Sequence, residues 1–251
     1  MSSPDSESAR TVLRTVFMGT GEIGLPSFEH LLMRGDCQVV GVVTQPDKPA
    51  GRNRELKPSV IKIAASHAGL PVFQPTSLRH PDALAVLDAW APDLIVVMAF
   101  GQILPKPVLD SPRLACLNLH ASILPKFRGA SPINAAIAAG EAETGITVMH
   151  MAEGLDTGDI VLIEPEPIKR RDTAGSLHDR LAHTASRALD RAIGALVSGT
   201  ASRIPQNTAL ATHVGKLSRT DAFIDWTAEA SEVERMIRAM NPWPVAWTTI
   251  P

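Results

Sequence analysis

Short runs rich in Val and Ile recur along this chain, each followed by a stretch with helical spacing, and that alternation most limits how it can fold. Residues 15–19 read as a first strand, 39–44 as a second, and 94–99, inside DLIVVMAFG, as a buried one. Between and after them, helices are expected over 26–34, closed by Gly35, and over 59–67 and 81–90, with a short strand at Val72-Phe73. A turn rich in Pro, Asp and Ser leads into a strand over 116–120. Ser131-Pro132 marks a helix start, with Ser as N-cap and Pro at the first helical position, and Gly140 ends that helix. Residues 146–151 alternate like a strand, and 173–197 form a long amphipathic helix. Strands alternating with helices predict an α/β fold with a doubly wound, mostly parallel, Rossmann-like sheet.

At 251 residues and 45% hydrophobic, the chain can bury one sizeable α/β core and a small appendage. Composition changes after Gly199. The expected organisation is a polar tail over 1–10, a catalytic domain over 11–200, a linker over 201–214 and the beginning of a further domain over 215–251. That last part holds a short strand (223–226), a helix (231–240) and the turn Asn241-Pro242-Trp243-Pro244. The net charge of −2 excludes a global basic field, so any nucleic-acid contact must be local. No apolar run approaches the roughly 20 residues needed to span a bilayer. MSSPDSESAR has no signal-peptide character, and a cytoplasmic monomer is expected.

Asn118-Leu119-His120 is the most chemically suggestive triplet. On a strand the amide and the imidazole share a face, about 6–7 Å apart. Such a pair suits carbonyl chemistry at an acyl carbon. A tetrahedral oxyanion needs donors aimed at its oxygen, and a proton must be moved; Asn donates without titrating, and His can donate or shuttle. Asp156, in GLDTGD, can orient the imidazole or collect a proton. Asp159 is the rival carboxylate and better suits fixing the turn. As an isolated pair, Asn118 and His120 read better as a satisfied buried amide and a core histidine bonded to backbone. His120, His150, Asp156 and Asp159 match no standard zinc spacing, and Cys37 and Cys116 read as buried reduced thiols, so no metal is expected.

Two other runs invite a ligand. Gly19-Thr20-Gly21-Glu22-Ile23-Gly24 is a literal G-x-G-x-x-G between a strand and a helix, and alone it suggests dinucleotide binding. The second strand, however, runs into Thr44-Gln45-Pro46 rather than an acidic residue, and Pro26 shortens the usual helix start. A tight turn, with a helix N-terminus that can face an anionic group, is the preferred reading. The loop over 45–58 carries three prolines, one glycine and four basic residues; Lys48, Arg52 and Arg54 make it the best candidate for RNA contact. Lys126 and Arg128, beside the Asn118 strand, are placed for phosphates or another anionic tail, whereas Lys169-Arg170-Arg171 reads as a surface charge run.

HASILPKFRGASPI followed by ITVMHMAEGLDTGDI resembles the core of the formyl-folate-dependent formyltransferases. VVTQPDKPAGRNRELKPSVIK and KLSRTDAFIDW with NPWP are similar to the members that formylate methionyl initiator tRNA. The resemblance runs from about Val16 to the last residue, as four ordered blocks at compatible spacing. It implies the formyltransferase fold and 10-formyltetrahydrofolate as co-substrate. It implies Asn118, His120 and Asp156 as the catalytic triad, with initiator methionyl-tRNA as partner. It also places the 47–54 loop, Arg52 above all, against the acceptor stem. The folate is expected against Phe100, Gly101, Gln102, Ile103 and Leu104, largely through backbone groups, and beside Ser122, Leu124 and Pro125. In this family a C-terminal β-barrel begins where 215–251 lies, so the sequence reads as truncated relative to it. An amino sugar or water as acceptor, or a non-catalytic nucleotide-binding module, are the alternatives.

Overall fold

A computed structural model describes residues 12–50 and 55–249. The expected polar tail and the tip of the basic loop, with Arg52 and Arg54, lie outside them. In chain order the strands are β1 (Leu13–Gly19), β2 (Cys37–Val43), β3 (Lys48–Ala50), β4 (Glu55–Lys57), β5 (Val72–Phe73), β6 (Leu94–Met98), β7 (Ala115–His120), β8 (Arg128–Gly129), β9 (Glu143–His150), β10 (Ile160–Pro167) and β11 (His213–Val214). The helices are α1 (Leu25–Met33), α2 (Val60–His67), α3 (Pro81–Trp90), α4 (Lys106–Leu109), α5 (Pro132–Ala138), α6 (Ala174–Val197) and α7 (Ala230–Ala239).

The main sheet has the order β10-β9-β7-β6-β1-β2-β5. β7, β6, β1, β2 and β5 are parallel; β9 runs antiparallel to β7, and β10 antiparallel to β9. All five residues of β6, Leu94–Met98, are buried, as a central parallel strand covered on both faces requires. One face packs Phe28 and Leu31 of α1, Ile61 and Ala65 of α2, Ile133 and Ile137 of α5, and much of α6. The other packs Ala83 and Leu87 of α3 with Leu104, Val108 and Phe100. In α6, Leu177, Leu181, Ala185, Leu189 and Ala192 recur every three or four residues, so one stripe of the helix is buried along its length. Thr173 opens it with a reciprocal capping box to Ser176.

Several expectations change in detail. β10 went unseen in the sequence because Pro165 and Pro167 break its pattern; both are tolerated since β10 is the sheet's edge. Residues 223–226 are not a strand: Phe223 makes a single bridge to Trp247, and the Asp225 carboxylate accepts the Thr227 N–H, turning the chain. Pro132 opens α5, but Ser131 makes no side-chain capping bond. Within the expected basic loop, β3 and β4 pair antiparallel as a short two-stranded sheet. The segment read as a linker is tied down at both ends, by an Ile160–Ile204 bridge and by β11 pairing with β8.

From α6, Arg180 donates to both oxygens of Asp172, at 2.7 Å each, and to Glu166 at 3.0 Å. The Asp172 side chain is 7% exposed. The hydrogen-bonded guanidinium pulls its carboxyl from 3.8 down to about 2. A depressed carboxyl stabilises the fold above its unfolded value and loses that contribution as pH falls. Asp172→Asn should therefore cost about 1–3 kcal/mol at neutral pH. In melts taken as a function of pH, the gap between wild type and variant should close between pH 3.8 and about 2. A gap that persists unchanged to the lowest pH would mean that the ion pair does not carry the difference.

Candidate active site

Alternation along β7 sends Leu117 and Leu119 into the α6 side of the core and leaves Asn118 and His120 on the opposite face. His120 is buried, and its Nε2–H donates to the Phe127 carbonyl at 2.9 Å. A carbonyl can only accept, so Nε2 carries the hydrogen and Nδ1 is the nitrogen left for a proton. Nδ1 lies 3.6 Å from Asp156 Oδ2, in a pair whose side chains are 7% and 11% exposed. Asn118 Nδ2 donates to Asp156 Oδ1 at 3.4 Å, and the Gly129 N–H donates to Oδ2 at 2.8 Å. Amide, imidazole and one carboxylate are thus brought together from β7 and the loop after β9. Asp159, the rival carboxylate, contributes its backbone carbonyl to the His150 N–H at 2.9 Å and stays with the turn.

Two unusual backbone conformations make this geometry. Asp156 sits at φ +53°, a left-handed conformation that Asp tolerates better than most residues. Gly129 sits at φ +113°, and a Cβ there would run into the Val214 carbonyl of β11. Close passage of β11 is therefore what requires a glycine at the position that feeds an N–H to Asp156. Thr147 of β9 fixes the turn after His120: its hydroxyl donates to the Ser122 carbonyl at 2.6 Å and accepts the Leu124 N–H at 3.1 Å.

The residues expected around a folate divide into walls and surface. Phe100, Leu104 and Leu124 are buried in the cores. The Gln102 amide spans the Leu78 N–H and the Pro75 carbonyl, and Ser122 Oγ donates to the Lys126 carbonyl at 2.6 Å. These side chains shape the loops and are spent. Gly101, the 64% exposed Ile103 and the partly exposed Pro125 remain presented, together with backbone groups.

The cations also part company. Lys48 is exposed on β3, directly opposite exposed Lys57 of β4. Lys57 was not singled out in the sequence. Lys126 is exposed but paired with Glu141 at 2.8 Å. Arg128 corrects its sequence reading: it is 4% exposed, and its guanidinium donates to Gln206 Oε1 at 2.7 and 3.1 Å rather than reaching outward to a phosphate. Gln206 itself, in the expected linker, carried no signal in the sequence. Among the described residues no group of three or more His, Cys, Asp or Glu side chains is placed to hold a metal ion.

The glycine-rich turn is also occupied. The Thr20 and Gly21 N–H groups both donate to the Ala99 carbonyl at 3.2 Å. A pyrophosphate would need those donors free, so the dinucleotide reading loses its basis and the tight-turn reading stands.

Residues 13–193 match the Formyl transferase family model, and 216–251 match that of the Formyl transferase, C-terminal domain. Methionyl-tRNA formyltransferase of Pseudomonas putida is 51% identical over 240 residues, covering 95% of this chain and 76% of its own length. The enzyme of the same name from Akkermansia muciniphila is 50% identical over 94% of this chain and 74% of its own length. The chain belongs to the methionyl-tRNA formyltransferase family. An N-formyltransferase from Helicobacter canadensis, solved with folinic acid and dTDP-3-aminofucose, superposes with a TM-score of 0.71 over 95% of this chain and 84% of that one. At 19% identity it shares the fold. Family membership makes the enzyme a formyltransferase, and Gln206 falls between the two matched regions.

Gly129→Ala isolates the geometric demand of the site. The added methyl forces β8 and β11 apart or moves the N–H off Asp156. Misplacement on the order of 1 Å costs about 100-fold in rate. Formyl transfer should fall by about that much, with a lowered melting temperature; unaltered turnover would show that this N–H is not needed to hold the carboxylate.

Proposed function

We propose that this chain transfers the formyl group of 10-formyltetrahydrofolate to the amino group of methionyl initiator tRNA through Asn118, His120 and Asp156. The observation that carries the reading is the convergence of a non-titrating donor, an imidazole and one carboxylate on a single face of β7. Identity of about half to enzymes named for this reaction supports the acceptor.

The chemistry follows from the atoms. The acceptor amine attacks the formyl carbon, forming a C–N bond and a tetrahedral oxyanion. The second Nδ2–H of Asn118 is a donor for that oxygen. The attacking nitrogen must shed a proton, and His120 Nδ1 can take it, since Nε2–H is committed to Phe127. Asp156 lies beside the imidazolium that forms and stabilises it. Collapse breaks the bond from the formyl carbon to folate N10, which leaves as an amine on receiving a proton. The folate is assigned to Gly101, Ile103 and the backbone of 100–104 on one side and Pro125 on the other.

The tRNA is assigned to the β3–β4 hairpin. Like charges placed directly opposite on two strands destabilise a hairpin. Lys48 and Lys57 form such a pair, and a polyanion relieves it. Lys126 is a further candidate contact. The hairpin is anchored from below, where Asp47 accepts from Lys62 and Gln74 at 2.6 and 2.7 Å. A sugar acceptor gives no comparable role to the paired lysines.

The deciding assay is formyl transfer from 10-formyltetrahydrofolate to methionyl initiator tRNA, with formate release measured without acceptor. Asn118→Ala and His120→Ala should each lower turnover by about 100- to 1,000-fold. Formate release without transfer to tRNA would move the acceptor elsewhere, and near-normal turnover by either variant would remove that residue from the mechanism.

Lys48→Ala and Lys57→Ala should each raise the KM for tRNA while leaving the KM for folate alone. Each should reduce the salt dependence of tRNA binding by about one unit of slope. An unchanged slope in both would clear the hairpin of any role in holding RNA.

A further inference from the structure

The loop carrying Asp156 is held from outside both matched regions. Gln206 Nε2 donates to the Asp156 carbonyl at 2.9 Å and to the Gly158 carbonyl at 2.8 Å. Its Oε1 accepts from Arg128 Nη2 at 2.7 Å and Nε at 3.1 Å. The orientation of this amide is fixed by chemistry. A guanidinium has only donors to offer and a carbonyl only acceptors, so oxygen must face Arg128 and nitrogen must face the loop.

We propose that Gln206 is a positioning residue for the transfer reaction, with Arg128 locking it in place. This rests on the reading of Asp156 given above. Asp156 occupies a left-handed conformation, which persists only where the surroundings determine it. The two carbonyls that Gln206 grips are that of Asp156 itself and that of Gly158, two residues on. Arg128 and Gly129 are adjacent, so the strand that supplies the N–H to Asp156 Oδ2 also supplies the guanidinium behind Gln206. One amide thus joins the two loops that bracket His120: Phe127 to Gly129, which receives its Nε2–H, and Asp156 to Gly158. Backbone pairing fastens the segment that carries Gln206 to the same strand, through the Arg128 N–H on the Thr212 carbonyl at 2.9 Å and the Ala130 N–H on the Val214 carbonyl at 3.0 Å. The segment between the matched regions is part of the site's framework, though it touches no reacting atom.

The test is Gln206→Met, similar in length and without hydrogen bonds, alone and combined with Asp156→Asn. Formyl transfer to methionyl initiator tRNA should fall by about 10- to 100-fold in kcat, with the KM for 10-formyltetrahydrofolate within about twofold of wild type. On the Asp156→Asn background the same change should cost little more, because its target is already lost. Wild-type kcat, or losses that multiply in the double variant, would overturn the proposal. If Gln206→Met does not fold, Gln206→Glu carries the test. It keeps the acceptor for Arg128, removes both donors, and must show the same split and the same non-additivity. Wild-type enzyme without transfer activity would instead count against the function itself, independently of Gln206.

Discussion

β9 runs antiparallel to β7, and the rest of the site depends on that reversal. A further parallel strand would have carried the chain out past the same end as Asn118 and His120. Instead the chain leaves β9 beside Cys116, where the Met151 N–H meets the Cys116 carbonyl at 2.8 Å, and must double back to start β10. The His150 N–H closes the excursion on the Asp159 carbonyl. Gly158 makes that closure possible, since a Cβ there would collide with the His150 carbonyl. The returning arc delivers Asp156 to Asn118 and His120, and Gln206 takes up its Asp156 and Gly158 carbonyls.

How much of this was legible in the sequence depended on how local the signal was. β6 and the Asn118–His120 face could be read from alternation and apolar runs alone. Asp156 could not: its meeting with His120 comes from the antiparallel return, and the choice of it over Asp159 leaned on turn chemistry and on family resemblance. β10 was hidden by its prolines, and Arg128 by its neighbours. An arginine between Phe and Gly in a loop looks like a surface cation, and nothing local tells that a glutamine 78 positions later will receive it. Gln206 was silent for the same reason. Its role is defined by what it bridges, the Arg128 strand on one side and the Asp156–Gly158 loop on the other.

Charge is separated across the molecule in a way that overall composition hides. The net charge of −2 conceals a hairpin with lysines set opposite one another and a core of paired ions around Asp172 and Arg180. The first pair is a liability for folding that a polyanion would relieve. In the second, the guanidinium satisfies both carboxylate oxygens within the fold. Lys48 and Lys57 are exposed and, unlike Lys62 and Lys126, have no carboxylate within ion-pair distance among the described residues.

The choice of an amide between Arg128 and the Asp156 loop follows from the same concern with charge. A carboxylate at position 206 would bind the guanidinium more strongly but would set a second negative charge against two carbonyl oxygens. A guanidinium placed directly on Asp156 would hold the loop, yet it would compete with the imidazole for the one carboxylate in reach. Gln206 avoids both. It takes the arginine's donors on its oxygen and passes the restraint on through its nitrogen to backbone carbonyls. The Asp156 side chain is left to a neutral amide, a backbone N–H and His120. The negative charge that a protonated His120 needs beside it stays uncommitted to any fixed cation, while the backbone carrying it is held at its own carbonyl and at that of Gly158.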